Sequence, residues 1–246
     1  MTHRENAVEV SHVSKRFPSA DVPGWVTALE DVCLTVSRGE RLVIAGANGA
    51  GKSLLMSIIA SLETPTSGLI RTSHPVGLVF QDADSQILGE TPREDAAFGP
   101  GNMKLPKAEI IRRADAALAA VGLLHKAEMP ARSLSGGEKR RLAVAGVLAM
   151  DVEIIIFDEP YANLDYEGVK QVNTLIVELH GQGKTLIILT HELEKCLGLA
   201  DQFVVLQAGK VVFDGDPADA LSLPLEQWGI RNPLGSYTAK KDLIWR

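Results

Sequence analysis

Cysteine is nearly absent from this sequence: Cys33 and Cys196 are the only two in 246 residues. They stand far apart and outside any CxxC spacing, so the sequence gives no support for a disulfide framework or a zinc site and points to reduced thiols. Long apolar runs are also missing. No stretch approaches the roughly 18 apolar residues that cross a bilayer, so no membrane-spanning helix is expected. The opening MTHRENAVEV lacks the basic segment and apolar run of a secretory leader. Positive charge is in deficit, 25 Lys and Arg against 31 Asp and Glu for a net −6. That balance offers no general attraction to nucleic acid or to anionic lipid, so no nucleic-acid partner is expected. Any membrane role has to come from docking on the helices of other subunits.

What is present is ordinary globular composition, 46% hydrophobic and 23% charged, with no repeat or low-complexity linker. Short β-like runs alternate with helical stretches. The predicted strands are Ala7–Val13, Ala28–Val36, Arg41–Ala45, Gly77–Phe80, Glu153–Phe157, Thr185–Leu189 and Phe203–Leu206. Ile154–Phe157 and Leu186–Leu189 are continuously apolar, as strands buried on both faces of a parallel sheet would be. Helical spacing of Ile111, Ala114, Leu118 and Val121 predicts one long helix, and Val169, Val172, Ile176 and Leu179 another. About seventy residues between Phe80 and Glu153 read as helix and loop by this periodicity. They form a helical insertion in an α/β fold, because the β pattern resumes afterwards. One domain is therefore expected over 1–246: a core with a β part at about 1–81 and 150–222, a helical part at about 82–149, and a tail at about 223–246. Trp228, Tyr237 and Trp245 of the tail are expected to pack back on the core.

Three motifs carry chemistry. GANGAGKS at Gly46–Ser53 follows the strand RLVIAG and precedes the apolar helix LLMSIIA. Its glycines let the backbone wrap phosphates and the helix N-terminus supplies N–H donors. Lys52 neutralises the β- and γ-phosphates, and Ser53 can bind Mg²⁺. In EIIIFDEP, Glu153–Pro160, an apolar strand ends in two carboxylates. Asp158 is placed to hold Mg²⁺ and Glu159 to polarise a water. In LSGGEKRR, Leu134–Arg141, Ser135 and Glu138 form an S-x-x-E capping box, with Gly136 and Gly137 exposing N–H groups at a helix start.

At that third motif the sequence resembles the ABC ATPase family, whose signature is LSGG followed by Gln or Glu. The resemblance covers nearly the whole chain. It implies a phosphate-loop fold with a RecA-like core, an antiparallel β part at the N-terminus and a helical subdomain. It implies ATP and Mg²⁺ as ligands, with Asn48, Gly49, Ala50, Gly51, Lys52, Ser53 and Leu54 around the phosphates. Gln81 matches the Q-loop glutamine, a metal contact and catalytic residue, and His191 the switch histidine. Asp165 matches the D-loop aspartate, although YANLD lacks the Ser or Thr that many relatives carry near its start. Phe17 resembles the aromatic that stacks on adenine, with Trp25 in the same loop as the alternative. In such a family the signature residues Ser135, Gly136 and Gly137 serve the nucleotide of a second protomer, a copy or a paralogue, and ATP hydrolysis is the activity.

VGLVFQDADSQIL, TPREDAAFGPGNMKLP and LSGGEKRRLAVAGVLAM further resemble the energising subunits of energy-coupling-factor importers of vitamins or transition-metal ions. The implied partners are a transmembrane coupling subunit and, through it, a cargo-binding membrane protein. The implied location is the cytoplasmic face of the membrane. Asp82 and Asp84 are then expected to receive an arginine of the coupling subunit. The rival is a soluble cassette of the DNA-repair or translation kind, which the short gap between nucleotide motifs and the single cassette disfavour.

Overall fold

The computed structural model describes residues 5–19 and 23–235. Two sheets stack on each other. The smaller is antiparallel and contains β1 (Asn6–Pro18), β2 (Trp25–Ser37) and, after β3 (Arg41–Ala45) and the helix α1 (Lys52–Ile59), β4 (Ser67–Thr72); its order is β2-β1-β4. The chain then enters the larger sheet at β5 (Val76–Val79) and leaves it for four helices: α2 (Ala83–Gln86), α3 (Pro92–Asn102), α4 (Lys107–Ala120) and α5 (Gly136–Ala149). It returns through β6 (Ile154–Asp158), α6 (Tyr166–Gly181), β7 (Thr185–Leu189), β8 (Gln202–Gln207), β9 (Lys210–Gly215) and the short α7 (Pro217–Ala220). The larger sheet runs β5-β6-β7-β3-β8-β9, parallel except for the last pair.

Strand periodicity sorts the core into two layers. Leu42, Ile44, Ile154, Ile156, Ile187 and Leu189 pack on one face, against α1 and the inward residues Val8, Val10, Val32 and Leu34 of the small sheet. Val43, Ala45, Ile155, Phe157, Leu186 and Ile188 pack on the other, against α4, α5 and α6. Central strands buried on both faces are legible as continuous apolar runs, and Arg41–Ala45 and Thr185–Leu189 stand where the sequence put them.

β4 and β9 were not anticipated. Both are edge strands of exposed or half-buried residues, so neither leaves an apolar alternation to read. Within α4, Ala114 and Leu118 are buried and Val121 follows at the helix end, but Ile111 is 41% exposed, against the expectation that it shares their face. The tail returns to the core as expected through Trp228, whose ring lies 6.2 Å from Phe213 in a row that continues to Phe203. Tyr237 and Trp245 lie outside the described residues. Among the described residues, no helix is long and apolar enough to cross a membrane.

Candidate functional site

The site forms where the parallel strands end. After Ala45 the backbone must turn sharply into α1, and glycine is needed where it does. A Cβ on Gly46 would meet the Leu206 carbonyl at 2.2 Å, and Gly51, at φ 101°, would press on Leu29 and on the Ala28 carbonyl. No side chain caps α1 and its first turn has no acidic residue, so its N-terminal N–H groups are left for an anion. Lys52 begins the helix, nearly buried, and folds back so that Nζ donates to the carbonyls of Gly46 (2.7 Å) and Ala47 (3.3 Å). Burial pulls its pKa down, opposed by the nearby Glu159 and Asp158 carboxylates.

β6 delivers those carboxylates. Asp158 is its last residue, and burial pushes its pKa up, offset in part by the Ser53 hydroxyl and by Lys52. Its Oδ1 is buried without a hydrogen-bond partner. An acidic oxygen orphaned beside a serine hydroxyl is the donor set a hard divalent cation takes, so Asp158 and Ser53 fit Mg²⁺. The next residue, Glu159, adopts a left-handed φ of 48° and is only 6% exposed. That conformation costs a non-glycine residue about 1–2 kcal/mol and is held here by its N–H donating to the Leu189 carbonyl at 2.9 Å. The turn sends Glu159 Oε1 to His191 Nδ1 at 2.9 Å and leaves Oε2 buried without a partner.

Asn48, Gly49, Ala50, Gly51, Lys52, Ser53, Leu54, Gln81, Glu159 and His191 thus line one cavity of about 430 Å³ with Ala28. Not every anticipated residue joins them. Phe17 and Trp25 sit on adjacent rungs of the β1–β2 hairpin, facing Val26 and Pro18, and neither lines the cavity. Asp165 caps α6 by accepting from the Gly168 N–H at 2.8 Å. Ser135, Gly136 and Gly137 also lie apart, at the start of α5, where the capping box is complete. A Cβ at Gly136 or Gly137 would meet nothing within 4 Å. Packing against the described residues therefore does not require glycine at either position.

Arg140 was missed by the sequence reading, where it sat unnoticed in the basic run EKRR. Its guanidinium donates to the carbonyls of Pro160 (3.1 Å), Ala162 (2.6 Å) and Gln81 (3.3 Å). It ties α5 to the segments that follow β5 and β6, and burial lowers its pKa. The Q-loop acids Asp82 and Asp84, expected to receive an arginine of a coupling subunit, each have a partner within the chain. Asp82 caps α2 by accepting from the Asp84 N–H, and Asp84 is already paired with Lys139 of α5. A carboxylate beside a helix of basic residues finds its cation within the chain before any partner arrives.

Comparison with known proteins decides the family. The ABC transporter family model matches residues 29–162. The chain belongs to the ABC transporter family. As an ABC cassette it is an ATP-binding subunit whose ATP hydrolysis is coupled to transport. It is 42% identical to the cobalt import ATP-binding protein CbiO of Rhodobacter capsulatus, over 86% of this chain and 82% of that one. It is 39% identical to the energy-coupling factor transporter ATP-binding protein EcfA of Carboxydothermus hydrogenoformans, over 93% and 88%. Among solved structures, the ABC cassette cbiO1 of Clostridium perfringens, part of the ABC transporter complex cbiONQ, superposes with a TM-score of 0.78. It shares 33% identity over 89% of this chain and 91% of that chain. A dimeric ATP-binding cassette in a post-hydrolysis state, bound to ADP and Pi, superposes at 0.76 with 26% identity, covering 85% and 98%.

The capping box of this cassette carries its own pH dependence. Lys126 first, and then the Ser135 N–H, hold the Glu138 pKa down at about 2. A depressed carboxylate adds stability above its unfolded pKa and loses it as pH falls through the folded one. Glu138→Gln keeps a side-chain acceptor for the cap but not the ion pair. The melting temperature of the wild type should therefore exceed that of the variant above about pH 4.5, and the gap should close as pH falls toward 2. Parallel thermal melts by circular dichroism across that window check it; a gap that persists at the acid end contradicts it.

Proposed function

We propose that this chain is the ATP-hydrolysing subunit of an energy-coupling-factor importer of a vitamin or a transition-metal ion. It works as one half of a dimer with a copy or a paralogue. The observation that carries the proposal is a division of labour. The phosphate loop and the Glu159–His191 pair line one cavity, whereas the glycines of the signature face open space elsewhere. A cradle without a ligand in its own chain fits the nucleotide of a second protomer.

In this reading the backbone of Asn48–Leu54 and Lys52 hold the phosphates of ATP, and Phe17 or Trp25 supplies a face for adenine. Asp158, Ser53 and Gln81 hold Mg²⁺, which neutralises phosphate charge when bound. Glu159 takes the proton of the attacking water at its unpartnered Oε2, while His191 orients it through Oε1 and faces the γ-phosphate. Ser135 and the N–H groups of Gly136 and Gly137 complete the partner's site, with Asp165 at the contact between protomers. Loss of the γ-phosphate removes the link between the two halves. Arg140, which grips the Gln81 carbonyl, is placed to pass that change to the Q-loop.

The partner at the membrane is a transmembrane subunit whose cytoplasmic helix meets Asp82 and Asp84, with a cargo-binding membrane protein reached through it. The site of action is then the cytoplasmic face of the membrane. Replacing both acids by Lys places like charges at that contact and sets a lysine against Lys139. The double variant should still bind ATP in isolation yet fail to co-purify with its transmembrane partner from detergent-solubilised membranes. Unchanged co-purification and cargo uptake would contradict the assignment of the docking surface.

A further inference from the structure

On the exposed face of the small sheet, three side chains converge that the ATPase reading does not use. His12 of β1 and Asp31 and Cys33 of β2 are all exposed, and their ligand atoms lie within 4.8 Å of one another. His12 Nδ1 is 2.8 Å from Asp31 Oδ1 and 3.7 Å from Cys33 Sγ. We propose that His12, Asp31 and Cys33 form a surface site for a borderline divalent transition-metal ion such as Zn²⁺, Co²⁺ or Ni²⁺.

The backbone sets up the convergence. The β1–β2 pairing shifts register on both sides of Val13, and His12 and Asp31 each adopt φ 53°. Val13 and Val32 take the buried side, which leaves His12, Asp31 and Cys33 together on the outer face. The positions are then fixed by local bonds: the Asp31 N–H donates to Ser14 Oγ at 3.0 Å and the His12 N–H to Cys33 Sγ at 3.3 Å.

Distances and donor chemistry agree with a metal. Tetrahedral coordination at about 2.0–2.3 Å puts ligand atoms roughly 3.3–3.7 Å apart. The imidazole-to-sulfur separation already has that value, and the imidazole-to-carboxylate one has to open by about half an ångström. Those two side chains are 76% and 71% exposed, so the rotation disturbs no packing. Thiolate and imidazole select borderline ions over Mg²⁺ or Ca²⁺, which separates this site from the Asp158 site. A Cys–His–Asp relay is the competing arrangement, but a relay needs acid and nucleophile on opposite ring nitrogens. Here both face Nδ1. Binding releases the thiol proton to solvent and leaves the fourth position to water.

The test uses the full chain, stripped with chelator, its nucleotide site filled with Mg²⁺ and a non-hydrolysable ATP analogue. Titration with Co²⁺ should raise a thiolate-to-cobalt charge-transfer band to an equimolar end point. Cys33→Ser should abolish the band, and His12→Gln or Asp31→Asn should weaken Co²⁺ binding about tenfold or more. ATPase rates of the stripped variants should equal that of the wild type, since none of the three touches the nucleotide cavity. Absence of the band in the wild type, a band that survives Cys33→Ser, or undiminished affinity in both His12→Gln and Asp31→Asn would overturn the site.

Discussion

Glu159→Gln should lower ATP turnover by about a hundredfold or more, the range a positioned general base supplies, while ATP affinity stays near that of the wild type. The amide matches the carboxylate in shape and still meets His191, so the left-handed turn at this residue and its bond to Leu189 stay in place. What is lost is the acceptor at Oε2, the one oxygen of this side chain that the fold leaves without a partner. With hydrolysis blocked, ATP should hold two chains together, visible as a nucleotide-dependent dimer on gel filtration. Turnover at the wild-type rate would remove Glu159 from the reaction.

Lys52→Ala should act on the other term. The ammonium is nearly buried and, among the described residues, makes no salt bridge, feeling only the nearby Glu159 and Asp158 carboxylates. Removing a buried charge that neutralises phosphate costs about 3–5 kcal/mol, which is a loss of roughly two to three and a half orders of magnitude in ATP affinity. The fold should survive, because Lys52 itself lines the open cavity, so water filling the space left by its side chain can take over the bonds Nζ now makes to the Gly46 and Ala47 carbonyls. Fluorescent-nucleotide titration alongside a thermal melt separates the two effects. Wild-type affinity in a folded variant would contradict the phosphate-loop assignment.

The parts of this molecule that were legible from sequence share a physical reason. β3 and β7 are buried on both faces, so burial wrote itself into unbroken apolar runs, and the motifs hang on the ends of those strands. β4 and β9 escape because an edge strand needs little apolar surface. Phosphate-loop, carboxylate and switch residues converge as their motifs imply, since each lies within a few residues of a parallel strand end. Long-range polar choices are not local and could not be read. The Asp84–Lys139 pair, the Arg140 bonds to three carbonyls and the His12–Asp31–Cys33 convergence all join residues from different elements. Ile111 shows the reverse error, an apolar residue at helical spacing that tertiary packing leaves in solvent.

The central claim is that each site is shared, with Ser135 of one chain acting on the nucleotide held by Lys52 of the other. Mixing differently tagged Ser135→Arg and Lys52→Ala proteins with ATP measures this directly. A mixed dimer has one site with both residues intact, so the account predicts crosslinked dimers that carry both tags and hydrolyse ATP, where neither variant alone does. If the signature served its own chain's nucleotide, both sites of the mixed dimer would be broken, and neither an ATP-driven dimer nor hydrolysis would appear.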